Sequence, residues 1–176
     1  MSKNWMKVPA VGLAIVGMAT SLALAATDNA ALNLSGAVAA VVDVSVSATG
    51  TAAALNLAVG HTETGLKIAD ITEMANTPAG YTVSVASANL AAGGRCGGTA
   101  GQACFWNATG AEDVAFTLLK GTTSLSFSGA AATWNDTAAV QLTPLATVAN
   151  IAYAVGATIL PQGTYTETLT FTITSK

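Results

Sequence analysis

Few residues in this chain have the types and spacing that enzyme chemistry requires. The single histidine, His61, lies in a polar turn and no G-x-S-x-G pattern accompanies it, so it is predicted to be a surface turn residue. Glu112 and Asp113 are neighbours, and neighbours on a strand point to opposite faces, so they cannot easily converge as an acid–base pair. Asp70 and Glu73 lack the alternating oxygen ligands of calcium loops. We therefore expect no enzymatic activity, no metal site and no cofactor.

The two cysteines, Cys96 and Cys104, lie eight residues apart in the glycine-rich stretch GGRCGGTAGQACFW. An oxidising compartment favours their pairing, and the glycines allow so short a loop to close. Closure would contribute roughly 2–3 kcal/mol in the chain-entropy model. Two free thiols and a zinc site are the alternatives, but no histidine or second cysteine pair is near. We predict a disulfide bond.

Aromatic residues next to this loop have two interpretations. Phe105 and Trp106 directly follow the second cysteine, and Trp134 lies in a separate Ala-Thr-Trp-Asn-Asp segment. They could form a sugar-stacking or adhesive surface. We favour the interpretation that they cover the core beneath the loop.

Composition and charge exclude one class of partner. The chain has 176 residues, of which 52% are hydrophobic and only 9% are charged, with six Lys and Arg and a formal net charge of −3. A nucleic-acid partner is not expected, because phosphate contacts need a cationic face. Small and β-branched residues dominate and favour packed strands over helices.

Residues 1–25 have the layout of a secretory signal peptide. Lys3 and Lys7 supply the positive start, an apolar run covers residues 8–24, and Ala23-Leu24-Ala25 provides the small residues at which such signals are cleaved. A retained membrane anchor is the alternative. The expected protein is secreted to the cell surface as residues 26–176.

Apolar residues alternate with small or polar ones at both ends of residues 26–176. The alternation from Leu32 to Val46 predicts a strand with one buried face, which is long enough to break into two strands or to extend beyond one domain. From Thr164 to Thr174 threonine occupies every even position. The apolar face of this predicted C-terminal strand carries Tyr165, Leu169, Phe171 and Ile173.

Short strand candidates separated by turn signals lie between these two segments. Pro144 is expected to end one of them, because proline cannot donate to a strand ladder. Lys120-Gly121 is expected to form a hairpin turn. The candidates are Leu55–Val59, Leu66–Ile71, Tyr81–Ser87, Val114–Leu119, Ser124–Phe127, Val140–Leu142 and Ile151–Val155. This pattern predicts an all-β sandwich of immunoglobulin-like type with one core.

Four segments resemble, in their order and spacing, one family of secreted proteins. They are LNLSGAVAAVVDVSVS, LNLAVG, ITEMANTPAGYTVSVASANL and LPQGTYTETLTFTI. Together they are similar to chaperone–usher type pilins, and among these to the spore coat protein U branch of secreted fimbrial subunits.

The resemblance implies an immunoglobulin-like sandwich that lacks its last strand. Residues 26–40 would be an N-terminal donor strand, and residues 41–176 the pilin domain. The C-terminal strand of this domain would line the acceptor groove with Tyr165, Leu169, Phe171 and Ile173. A periplasmic chaperone would fill the groove first, and the donor strand of another copy would then replace it, with or without an outer-membrane usher. The donor residues would be Leu32, Leu34, Gly36 and Val38.

The sequence thus predicts a subunit of a surface pilus or fimbria, with other copies of itself as partners and a host or surface receptor as a further one. The alternative is a monomeric secreted β-sandwich that acts as an adhesin or a carbohydrate-binding module. The two differ in whether residues 26–40 fold into their own core or enter that of another copy.

Overall fold

The fold was analysed in a computed structural model that describes residues 32, 34–93, 95–97 and 101–176. The predicted signal peptide lies outside these residues. The chain divides into two compact units, Met1–Ala37 and Val38–Lys176. The second unit is all-β, as predicted, and strands make up 54% of the structure. No helix in the described ranges is long and apolar enough to cross a membrane.

The described residues form strands β1 to β10, one 3₁₀ turn and one short helix. The 3₁₀ turn covers Gly50–Ala53 and the helix, α1, covers Ala88–Ala91. The strands are β1 (Val42–Ala48), β2 (Thr62–Ala75), β3 (Tyr81–Ser87), β4 (Ala103–Asn107), β5 (Glu112–Lys120), β6 (Thr123–Leu125), β7 (Ala131–Thr137), β8 (Gln141–Ala154), β9 (Tyr165–Thr166) and β10 (Leu169–Ser175).

The strands form two antiparallel sheets, which we call the large and the small sheet. The large sheet has the order β1-β2-β8-β5-β4-β9, with β6 added to β5. The small sheet has the order β10-β3-β7. The two sheets form a β-sandwich-like arrangement that is compatible with an immunoglobulin-like fold.

Period-two alternation builds the core between the sheets. Tyr81, Val83 and Val85 of β3 are fully buried, while the residues between them are half-buried. On the large sheet, Phe116 and Ile151 face them from β5 and β8. Each large apolar side chain buried in this way stabilises the fold by about 1.5–3 kcal/mol.

The predicted disulfide and hairpin are both present. Cys96 and Cys104 are bonded, with their Cα atoms 5.5 Å apart. Strands β5 and β6 pair directly around the turn at Gly121, whose φ of 60° favours glycine.

The C-terminal strand is not continuous, contrary to the prediction. Tyr165 and Thr166 pair with β4 in the large sheet, whereas β10 starts at Leu169 and pairs with β3 in the small sheet. The chain therefore crosses between the sheets at Glu167 and Thr168. Because the break is two residues long, the alternation continues across it, and the sequence pattern gives no sign of the crossing.

Pro144 does not end a strand, also contrary to the prediction. Strand β8 runs from Gln141 to Ala154 and includes the proline. Its pairing with β2 shifts between Glu73 and Ala75, opposite the residues around Pro144. A bulge tolerates a residue that cannot donate, so the strand passes through it.

Two further strand predictions need correction. Strand β1 covers only Val42–Ala48 of the alternating segment, and residues 34–40 are described without strand structure. The candidate Leu55–Val59 forms no strand, because these residues belong to the connection between β1 and β2. Strands β4 and β7 were not predicted.

Candidate strand-binding groove

A groove lies between two strands that have an open edge. Strand β1 is an edge strand of the large sheet, and β10 is an edge strand of the small sheet. Among the strands that the structure describes, β1 pairs only with β2, and β10 pairs only with β3. Each therefore has one edge whose backbone groups are free to bind a further strand.

The pairing of β10 fixes which of its backbone groups face this open edge. At one end the Ala88 amide donates to the Thr168 carbonyl (3.1 Å), and at the other the Lys176 amide donates to the Gly80 carbonyl (3.1 Å). In an antiparallel pair these directions alternate, so the even residues of β10 bond to β3 and the odd ones point away from it. The residues of β10 that present free N–H and C=O groups are Leu169, Phe171, Ile173 and Ser175.

The pairing of β1 with β2 likewise fixes which backbone groups of β1 face its open edge. The Thr49 amide donates to the Ile68 carbonyl (2.8 Å), and the Asn76 amide donates to the Val41 carbonyl (3.0 Å). The odd residues of β1 therefore bond to β2, and the even residues direct their backbone groups to the open edge. These even residues are Val42, Val44, Val46 and Ala48.

Between the two edges lies an open apolar cavity of about 280 Å³. Val46 and Ala48 line it from β1, and Leu169 and Phe171 line it from β10. Its lining also includes core residues of the large sheet, namely Phe105, Phe116, Ala149 and Ile151. The residues with free backbone groups thus also direct apolar side chains into the groove.

The core is incompletely covered at this groove. Phe171 is half-buried, although its pairing partner on β3, Val85, is fully buried. Across the groove, the side chain of Val46 is 49% exposed. Ile173 is half-buried and packs against the core, but it does not line the cavity.

One polar residue, Glu167, lies at the end of the groove where the chain crosses between the sheets. Its carboxylate accepts hydrogen bonds from the Ser87 hydroxyl (2.6 Å) and from the backbone amides of Ala88 (3.0 Å), Asn89 (3.2 Å) and Thr168 (2.7 Å). It therefore satisfies the first amides of α1, which have no partner within the helix. This role was not predicted from the sequence. The signal for it is an acidic residue on an otherwise apolar face of the C-terminal segment.

Asn89 holds the same crossing from the other side. Its side-chain amide donates to the Cys104 carbonyl of β4 (2.9 Å) and to the Thr166 carbonyl of β9 (2.6 Å). The side-chain oxygen accepts from the Arg95 guanidinium (3.4 Å). The Ser87-Ala88-Asn89 segment thus ties α1 to the strands on both sides of the crossing.

Tyr165, predicted to lie in the groove, lines a second cavity of about 510 Å³ instead. Its hydroxyl donates to the Pro161 carbonyl (3.3 Å). This cavity shares Ala52 and Leu55 with the groove. Tyr165 therefore lies outside the groove, contrary to the prediction.

The predicted donor residues are exposed where the structure describes them. The exposed fractions are 83% for Leu32, 86% for Leu34 and 90% for Val38. A Cβ atom added to Gly36 would meet no atom within 4 Å. Their role as donors stays a prediction.

The candidates for enzyme or metal chemistry do not come together. His61 is half-buried, and its Nε2 lies 2.8 Å from a carboxylate oxygen of Glu63. Asp70 pairs with Lys67 (2.8 Å), whereas Glu73 is buried on the opposite face of β2. Within the described residues, no group of three or more His, Cys, Asp or Glu could hold a metal ion.

The aromatic residues next to the loop mainly serve the core. Phe105 is buried and stacks on Phe116, with ring centroids 4.5 Å apart. Trp134 is buried and meets Phe171 edge to face at 5.1 Å. Trp106 is half-buried. The interpretation of Phe105 and Trp134 as core residues is confirmed.

In comparison with known proteins, the chain matches no family model. None of the curated proteins matches it either.

Proposed function

We propose that this protein is the structural subunit of a secreted surface filament, a pilus or fimbria, that polymerises by donor-strand exchange. Residues 26–40 of one copy form the donor arm, and its residues 32–38 insert into the groove of the next. The observation that carries the proposal is the apolar groove between two open strand edges. The even-numbered residues of β1 and the odd-numbered residues of β10 offer this groove both free backbone groups and apolar side chains. A strand added there gains both kinds of contact.

The predicted donor strand matches the groove in period and β10 in length. Its apolar residues alternate, as a strand with one face toward the groove requires. Residues 32–38 span the same length as the seven residues of β10. Each Leu or Val that becomes buried adds roughly 1.5–3 kcal/mol, and three such positions, Leu32, Leu34 and Val38, would outweigh the cost of ordering a short arm.

A contact of this kind has different surfaces on its two sides. The arm of one copy meets the groove of another, so every bound copy leaves a new arm and a new groove at the ends. Repetition gives an open filament unless the rotation between copies closes a ring. We propose no catalytic activity and no cofactor for this subunit.

The likeness of four segments to chaperone–usher type pilins supports a route for assembly. On this route the chain crosses to the periplasm, a chaperone fills the groove, and an outer-membrane usher guides exchange to the cell surface. Assembly without these partners uses the same groove. A host or surface receptor would be a partner of the finished filament.

The test is electron microscopy of purified residues 26–176 carrying Leu34→Asp. We expect filaments from the wild-type chain and none from Leu34→Asp, because a charge cannot enter the apolar groove without a partner. Ser35→Asp is the matched control. Its side chain lies on the opposite face of the alternating segment, so filaments should remain.

Filaments from Leu34→Asp would contradict the proposal. A wild-type chain that stays monomeric with residues 26–40 in its own groove would favour the monomeric adhesin or carbohydrate-binding module instead.

A further inference from the structure

We propose that Asn76 clamps the base of the donor arm and thereby makes the joint between successive subunits stiff. The proposal rests on the proposed function. It adds a positioning residue that controls how freely one subunit of the filament bends against the next.

Asn76 makes three hydrogen bonds to the segment that links the arm to β1. Its backbone amide donates to the Val41 carbonyl (3.0 Å). Its side-chain oxygen accepts from the Val41 amide (2.6 Å), and its side-chain nitrogen donates to the Ala39 carbonyl (2.9 Å). The side chain therefore extends the pairing of β1 with β2 beyond the last strand residues, Val42 and Ala75.

The backbone that carries this side chain is itself held in place. Asn76 directly follows β2 and precedes a turn in which the Gly80 amide donates to the Thr77 carbonyl (3.0 Å) and the Thr77 hydroxyl donates to the Gly80 carbonyl (2.7 Å). Gly80 has a φ of 85°, and an added Cβ would lie 2.0 Å from the carbonyl oxygen of Thr137. The clamp thus projects from a rigid turn.

The position of the clamp along the chain gives it a consequence for the filament. The predicted donor residues end at Val38, and the clamped segment begins at Ala39. When the donor strand is bound in the next copy, no free linker remains between it and its own sandwich. Loss of the side-chain clamp would release residues 39 and 40 as a short flexible linker, which allows a range of orientations, while the backbone bond of residue 76 to the Val41 carbonyl remains.

Hydrogen exchange in the monomer tests the clamp without any filament. The chain is residues 26–176 with Leu34→Asp, so that it cannot donate its arm, and the probe is the exchange rate of the Val41 amide by NMR. Adding Asn76→Ala should raise this rate about fivefold, as expected for the loss of one neutral hydrogen bond. The amides of Val83 and Val85 should keep their rates, which shows that the fold is intact.

Two further variants keep this test decisive. Asn76→Asp retains the oxygen that accepts from Val41 but loses the donor to Ala39, so the Val41 rate should stay close to that of the parent chain. Asn56→Ala removes an exposed asparagine whose side-chain oxygen accepts from the Ala58 amide, away from the arm. It should change nothing at Val41. An unchanged Val41 rate in Asn76→Ala overturns the clamp.

The stiffness of the filament tests the joint. On electron micrographs, filaments of Asn76→Ala with an intact arm should bend more, with a persistence length at most half that of the wild-type filaments. Equal persistence lengths would overturn the proposal that Asn76 stiffens the joint, even if its hydrogen bonds to the arm exist. Absence of wild-type filaments would overturn the proposed function and the joint together, while the exchange rates still decide the clamp.

Discussion

At the scale of single residues, the carboxylate of Glu73 is fully buried. Its Oε2 accepts from the Tyr81 hydroxyl of β3 (3.1 Å) and from the Asn135 side-chain amide of β7 (2.6 Å), while its Oε1 has no hydrogen-bond partner among the described residues. Glu73 itself belongs to β2 of the large sheet. The network therefore joins the two sheets inside the core, where hydrogen bonds must replace water.

Replacement of Glu73 by alanine should destabilise the fold by about 1–3 kcal/mol. The substitution leaves the buried Tyr81 hydroxyl without its acceptor, and one such group costs about 1–3 kcal/mol. The half-buried Asn135 side-chain amide still donates to the Tyr81 hydroxyl (3.4 Å). Urea unfolding measures the effect. Glu112→Ala, at an exposed position on β5, is the control and should change stability by less than 0.5 kcal/mol. A loss below about 1 kcal/mol for Glu73→Ala would contradict this view of the network.

Two buried tyrosines predict how stability changes at high pH. Burial raises the pKa of Tyr81, and the Glu73 carboxylate raises it further. Burial, with the Glu63 charge as a second cause, also raises the pKa of Tyr153. In the unfolded chain both ionise near the ordinary value of about 10. Their contribution is therefore complete below about pH 10 and is lost as the pH rises toward the folded-state pKa values.

Urea midpoints measured from pH 8 to pH 11 should fall above pH 10. The fall should be smaller in Tyr153→Phe, which removes one of the two titrating groups. Midpoints that stay constant to pH 11, or an equal fall in the variant, would refute this assignment.

At the scale of strands, the alternating pattern predicts a strand well where a single face is buried and the ladder is regular. Tyr81–Ser87 has the predicted bounds, since Gly80 and the start of α1 limit it and every second residue enters the core. The β5–β6 hairpin was predicted from its turn residues, Lys120 and Gly121. The open edges of β1 and β10 depend on how distant strands pair, and so does the choice of odd or even residues that face these edges. No local sequence pattern shows this pairing.

Strands with irregular burial were missed. In β4, Ala103, Cys104 and Phe105 are buried in succession, so no alternation is visible. In β7, the pairing with β3 shifts at Trp134, and both Trp134 and Asn135 make contacts inside the sandwich. A bulge of this kind interrupts the period of two on which the sequence analysis relied.

The position of Glu167 at the crossing between β9 and β10 predicts that it affects both the stability of the fold and binding in the groove. Glu167→Ala removes the acceptor for one hydroxyl and three backbone amides, so it should destabilise the fold by about 1–3 kcal/mol. Because Glu167 also lines the groove, binding of a peptide of residues 26–40 should weaken. Urea unfolding and fluorescence titration with the labelled peptide measure the two effects.

Asp43→Ala is the control for this variant. Asp43 is exposed on β1 and its odd position directs it away from the groove, so both quantities should stay unchanged. Wild-type stability in Glu167→Ala would contradict the role assigned to the crossing.

At the scale of the whole molecule, the two sheets of the sandwich differ in size. The small sheet has three described strands, whereas the large sheet has seven. Its open edge at β10 faces the open edge of β1, and core residues such as Phe116 line the cavity between them. A further strand paired with β10 would cover these residues. We therefore propose that a strand from another copy completes the fold.

The most direct measurement of this claim is amide exchange, by NMR, of the Leu34→Asp chain with and without the peptide of residues 26–40. Protection should appear at Leu169, Phe171 and Ile173, whose backbone groups face the open edge. The amides of Thr170 and Thr172 already bond to β3 and should change little. Exchange that the peptide leaves unchanged along β10, or protection of the even residues in place of the odd ones, would contradict the account.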